Sequence, residues 1–171
     1  MDRMASIELA LKNEDTEMKF YLGEAQRSKN PLARAMFKNL AKDEAEHKTR
    51  IQGLHERLIR DGSWPQDMPL EVAGTDIKKT LEKMLHTKGA DQAHDHDDVR
   101  AIEKAIDFEA KGERFYVELA KVCQNPMERR FFEFLARLER EHHLSLTESL
   151  AYLQDPAGWM LQHEKAGLDG A

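Results

Sequence analysis

The sequence predicts an all-α protein, a four-helix bundle with one long crossover connection. Three observations carry that expectation. Of 171 residues only 9 are Gly and 5 are Pro, while 34% are charged, the composition of long solvent-bearing helices. Apolar residues recur at three- and four-residue spacing through four long stretches. Finally, residues 7–51 recur as residues 102–146, an offset of 95 positions held without slippage, which reads as a duplicated helix pair.

The first copy runs Ile7-Glu8-x-Ala10, Glu14, Phe20-Tyr21, Ala25, Asn30-Pro31, Phe37, Leu40-Ala41, Glu44-x-Glu46-His47. The second runs Ile102-Glu103-x-Ala105, Glu109, Phe115-Tyr116, Ala120, Asn125-Pro126, Phe132, Leu135-Ala136, Glu139-x-Glu141-His142. The first helix is expected over about residues 4–28, its seam formed by Ile7, Leu11, Met18, Tyr21, Leu22 and Ala25, with Glu14 as the misfit. The second, about 30–61, begins at Asn30-Pro31. Asn caps the free amides there, and Pro fits the first turn because its missing N–H would go unpaired anyway. Phe37, Leu40, Ile51, Leu54 and Leu58 follow, and Gly62 ends it.

Residues 62–98 form the crossover, broken by Pro65 and Pro69, with a short amphipathic helix expected from Thr75 to His86. The connections inside each pair are a few residues long and make antiparallel hairpins. A connection as long as 62–98 can instead return along the bundle, so the second and third helices run parallel. The third helix is expected over about 98–123. The fourth, about 125–154, restarts at Asn125-Pro126 with Phe131, Phe132, Leu135, Leu138, Leu146, Leu150 and Leu153 inside. The tail, 155–171, offers Trp159 and Met160 as apolar anchors for the bundle or for a partner subunit. The whole chain, 1–171, is read as one domain.

The chemistry lies where the apolar seams fail. Glu44 with His47, and Glu139 with His142, stand three apart on a helix and so share a face. Glu14 and Glu109 occupy heptad positions suited to Leu or Ile. A carboxylate in a dry core costs several kcal/mol even after relaxation, and four together repel one another or take up protons. Two divalent cations would balance four glutamates. Mixed carboxylate and imidazole ligation suits iron or manganese, and also zinc. A Glu from each of two helices with Glu-x-x-His from the other two is the donor pattern of ferritin-like di-metal bundles.

On these residues the chain resembles the ferritin-like domain of the rubrerythrin family over about residues 4–153. The resemblance implies two iron ions per chain, bridged by Glu44 and Glu139, with Glu14, Glu109, His47 and His142 as terminal ligands. It also implies a catalytic, metal-proximal role for Tyr21 and Tyr116, including a hydrogen bond to bound oxygen species. The implied activity is reduction of hydrogen peroxide, or of dioxygen, in oxidative-stress defence. Two alternatives stay open: a ferroxidase or iron-binding protein for storage or delivery, and a di-manganese catalase. The sequence departs from the family pattern in two ways. It has a single cysteine, Cys123, hence none of the Cys-x-x-Cys pairs of a rubredoxin domain, so the electron donor is expected to be a separate, rubredoxin-like protein or a small reductant. The extra glutamate many members carry three residues after the third-helix ligand is here Gly112, whereas Glu17 stands at the equivalent offset from Glu14.

Other polar residues receive plainer expectations. Glu17 and His143 are read as exposed, His94 and His96 as a solvated loop, His55 as either a core-edge residue or a gate, and Cys123 as a small apolar side chain. A net charge of −6 argues against a nucleic-acid partner. No stretch has the length and apolarity of a membrane span or a signal sequence, so the cytoplasm is the expected compartment. The duplicated hairpins and long crossover suggest a homodimer, with or without exchange of helix pairs.

Overall fold

The computed structural model describes residues 3–65 and 96–161. Four long helices account for nearly all of them: α1 Arg3–Arg27, α2 Pro31–Asp61, α3 His96–Val122 and α4 Pro126–Gln154. Their ends fall within one or two residues of those expected. The predicted helix Thr75–His86 lies outside the described residues, as does His94. His96 is the first residue of α3 rather than part of a loop.

The two hairpin turns are built alike because the same residues build them. Asn30 adopts extended backbone, φ −66° and ψ 124°, and its side chain accepts from Leu32 N at 2.9 Å and Ala33 N at 3.2 Å. Asn125, at φ −77° and ψ 126°, accepts from Met127 N at 2.8 Å and Glu128 N at 3.2 Å. Each is followed by Pro at the first helical position, where the locked φ suits the helix. At the far end of α2, Gly62 takes φ 67° and donates its N–H to Leu58 O at 3.0 Å, a left-handed cap that favours glycine.

Two apolar clusters set the helix directions. One holds Ile7 and Ala10 of α1, Ile51 to Leu58 of α2, Tyr116 to Cys123 of α3 and Phe131 to Leu138 of α4. The other holds Tyr21 and Ala25, Leu32 to Ala41, Ala101 to Ala105, and Leu146 to Leu153. α1 therefore runs antiparallel to α2 and α3 and parallel to α4, and α2 runs parallel to α3. This is the ferritin-like bundle, with the crossover between α2 and α3. Glu14, Glu44, His47, Glu109, Glu139 and His142 fall in sequence between the two clusters on all four helices, and all six are buried.

The duplication is visible in the packing. Tyr21 stacks on Phe37 with ring centroids 6.2 Å apart, and Tyr116 stacks on Phe132 at 6.4 Å. Trp64, just past α2, is buried against Phe131 at 5.7 Å. Cys123 is buried as expected, its thiol against Leu119 O at 3.1 Å.

Several expectations are corrected. Leu22, placed on the α1 seam by spacing, is 45% exposed, because its neighbour Tyr21 takes the inward direction. In the tail, residues 156–161 are helical, and Trp159 packs edge-on against Tyr152 at 5.6 Å. Met160 points outward, 45% exposed, so of the two it is Trp159 that packs on the bundle. His143 is partly buried rather than exposed. No helix among the described residues is long and apolar enough to cross a membrane.

Candidate metal centre

Each inward-facing donor is delivered by helical periodicity. Glu44 and His47 project from one face of α2, and Glu139 and His142 from one face of α4; α1 and α3 each contribute one glutamate at a seam position. The side chains form two four-donor groups: Glu14, Glu44, His47 and Glu139; and Glu44, Glu109, Glu139 and His142. Within each group the donor atoms lie within 4.8 Å of one another. Glu44 and Glu139 belong to both.

The imidazoles face the cluster through Nδ1. His47 Nδ1 lies 3.0 Å from Glu44 Oε2 and 3.2 Å from Glu14 Oε2. His142 Nδ1 lies 3.1 Å from Glu44 Oε1 and 3.3 Å from Glu109 Oε2. The two rings stack at 5.4 Å. One Nδ1 carries at most one proton, so it cannot serve two carboxylates at once. Glu14 Oε2, Glu44 Oε1, Glu109 Oε2, both oxygens of Glu139 and His142 Nδ1 are buried without a hydrogen-bond partner. So many orphaned acceptors converging on one small volume would be costly in a dry core. They suit a pair of divalent cations, which need this many oxygen and nitrogen donors and supply the missing positive charge.

The electrostatics of the metal-free cluster follow from that shortage. Burial, then the neighbouring Glu44 carboxylate, pushes Glu14 from its ordinary 4.5 to about 7. Burial together with Glu109, Glu44 and Glu14 holds Glu139 well above the carboxylate range. Burial alone would also raise Glu44, but the two imidazoles outweigh it and pull this carboxyl down. Desolvation would lower His47, yet Glu44 and Glu14 raise it to about 10. His142 is likewise raised against desolvation, by Glu109 first and by Asp43 next. Protons do here what cations would do better.

Around the donors, Tyr21 donates its hydroxyl to Glu109 Oε1 and Tyr116 donates to Glu14 Oε1. Each tyrosine thus grips a glutamate of the opposite hairpin. Glu17, expected to be exposed, is buried at 9% and lies in the field of Glu44, Glu109 and Glu14, which together with burial keeps its carboxyl well above the usual range. Its angular offset from Glu14, three residues on, keeps it on the inner face. Glu17 and Gly112 also line an outer groove of about 380 Å³ between α1 and α3. A Cβ at Gly112 would meet Glu139 Oε2 at 2.9 Å. His55 is partly buried, with Nε2 3.9 Å from Glu8 Oε1 at the bundle edge.

One polar contact was not foreseen from the sequence. His142 Nε2, the nitrogen turned away from the donor cluster, lies 3.3 Å from Asp43 Oδ2 on α2. Asp43 sits among charged helix residues and looks unremarkable alone. The signal was available in the repeat, since its partner 95 positions on is Leu138 rather than an acid.

The family model described as Rubrerythrin matches residues 6–149, and a second, overlapping match covers 100–163, the half that repeats the first hairpin. The chain belongs to the rubrerythrin family. The first match runs from within α1 to within α4 and includes every residue of the donor cluster. Comparison with curated proteins gives no match, and neither does comparison with solved structures. In the rubrerythrin family the ferritin-like domain holds a di-iron centre, and the donor set here is compatible with one.

Proposed function

We propose that this rubrerythrin-family chain is a non-haem di-iron oxidoreductase that reduces hydrogen peroxide to water. The observation that supports it most is the doubled donor set, one Glu and one His on each side of the two carboxylates common to both groups, with buried donor atoms left unpaired. Two iron(II) ions bound there would together supply the two electrons that cleave the O–O bond, each becoming iron(III), while two protons complete two waters.

The protein's part is positioning and exclusion. Glu44 and Glu139, common to both donor groups, would be shared between the two ions, with Glu14 and His47 completing one position and Glu109 and His142 the other. Tyr21 and Tyr116 hold the terminal carboxylates by one oxygen each and leave the other free to face the cluster. They are also the nearest phenolic protons to the site. The apolar clusters on either side keep bulk water out, and the groove beside Glu17 and Gly112 gives a small oxidant an approach. Electrons return from a donor outside these residues, a rubredoxin-like protein or a small reductant.

Stopped-flow mixing of the anaerobic, iron(II)-loaded protein with peroxide or dioxygen tests this reading. Peroxide should react faster, and turnover should continue with an added reductant. If dioxygen is faster and ferric iron accumulates beyond two ions per chain, the protein is an iron-handling ferroxidase. Disproportionation of peroxide by the manganese form without any reductant would make it a catalase.

A further inference from the structure

The repeat pairs each residue of the first hairpin with the one 95 positions later, and the six donors and two tyrosines obey that pairing. Close to the donors, two acids break it. Asp43 corresponds to Leu138, and Glu17 corresponds to Gly112. Asp43 serves one half of the cluster. Asp43 Oδ2 stands 3.3 Å from the outer nitrogen of His142, an ion-pair contact that falls short of hydrogen-bond alignment. By the same pairing, the residue answering to Asp43 is Leu138, a buried alkyl side chain with no acceptor. The polar contacts of His47 run through Nδ1 to Glu14 and Glu44. Glu17 is buried and lies in the field of donors from both halves, Glu44, Glu109 and Glu14. The second half cannot carry an acid at the matching place without moving Glu139, because a Cβ at Gly112 would meet its Oε2 at 2.9 Å.

A carboxylate behind an imidazole holds the proton on the outer nitrogen and leaves the inner lone pair for a cation, which raises the basicity of that ligand. Such partners typically change metal affinity by about 10- to 100-fold. We propose that the two cation positions are unequal: a divalent cation fills the Glu109–His142 position before the Glu14–His47 position, and Asp43 sets that order by holding His142. Asp43 is a positioning residue in this scheme. The inference rests on the two-metal reading above.

Cobalt(II) is a suitable probe, titrated calorimetrically into the metal-free full chain, with crystals grown at one equivalent to locate the ion by anomalous scattering. The expected result is two binding steps separated by about 10- to 100-fold, with the first ion beside Glu109 and His142. Asp43→Leu should bring the steps together by weakening the tighter one alone. Asp43→Asn, which keeps an acceptor oxygen but not the charge, should leave an intermediate separation, a grading that a purely structural role would not give. Should Asp43→Leu fail to fold, the location of the first ion in the unaltered protein decides the order. A single step, or a first ion beside Glu14 and His47, overturns the inference and leaves the two-metal reading intact. An unchanged separation in Asp43→Leu overturns the assignment to Asp43. No cobalt bound at all overturns the metal centre itself, and the order with it.

Discussion

The Tyr21 hydroxyl donates its hydrogen bond across the bundle to Glu109, so a side chain of the first hairpin fixes a carboxylate of the second. Tyr116 returns the favour to Glu14. Both phenols are buried, and burial followed by the adjacent carboxylate charge pushes their pKa well up, so they remain donors at any working pH. Changing Tyr21 or Tyr116 to Phe strips a buried carboxylate oxygen of its donor and should cost about 1–3 kcal/mol each in the metal-free protein. For a chain of this size that is roughly 2–4 °C of Tm per kcal/mol. Calorimetry of the metal-free variants measures it, and no change in Tm would mean that the hydroxyls are not the partners of these glutamates.

The same bonds decide what happens when a terminal glutamate is removed. A seam position on a bundle ordinarily favours Leu over a buried charge, so Glu14→Leu would be expected to stabilise the metal-free fold. Here it also orphans the Tyr116 hydroxyl, a penalty of about 1–3 kcal/mol. Glu14→Leu alone should therefore gain little or lose stability, and Glu14→Leu with Tyr116→Phe should regain it. Both variants should bind fewer cations than the parent. A double-mutant cycle read from denaturant midpoints gives the coupling; additivity of the two changes would show that the pair does not act together.

The architecture was legible because its determinants are local and repeated. Asn30-Pro31 and Asn125-Pro126 fix both hairpin turns, and three-residue spacing alone places Glu44 beside His47 and Glu139 beside His142. The six donors were readable for the same reason: each interrupts an apolar seam. Glu17 was misjudged because an acid one turn from a core acid looks like an ordinary exposed helix residue; its burial depends on the space between α1 and α3 beside Gly112. Asp43 was missed because its partner, His142, is on another helix, and only the three-dimensional pairing of α2 with α4 brings them to 3.3 Å. Trp159 and Met160 are neighbouring apolar residues of one tail, and only the side chain of Trp159 meets an aromatic face on α4.

Metal-free stability should depend on pH with a definite sign. Glu14 is raised from 4.5 to about 7 in the folded state, so the native form holds its proton more tightly than the unfolded chain, and its contribution is lost as pH rises from 4.5 through 7. His47, raised from 6.5 to about 10, contributes fully below 6.5 and loses that contribution as pH climbs toward 10. Glu44 is shifted down, so it acts oppositely and weakens the fold as pH falls below the ordinary carboxylate range. The metal-free protein should thus melt highest in mild acid and progressively lower into alkali. Cations replace these protons, so loading should release protons and grow tighter with rising pH. Thermal scans across pH with and without manganese(II) compare the two; a metal-free Tm that rises from pH 5 to 9 would contradict the protonated cluster.

Gly112 is the last test, because it separates helix propensity from the needs of the site. In an exposed helix interior Gly→Ala stabilises by about 0.5–1 kcal/mol. At this position the new methyl would stand 2.9 Å from Glu139 Oε2 and 3.3 Å from its Cγ, closer than packed atoms tolerate, so the Glu139 side chain must turn aside. Glu139 belongs to both donor groups, and displacing it should weaken both cation positions together, unlike Asp43→Leu, which should weaken one. Gly112→Ala is therefore expected to fold with a metal-free Tm close to the parent while losing affinity at both calorimetric steps. Undiminished affinity at both would show that Glu139 does not contribute the shared carboxylate, and that α4 contributes only His142 to the centre.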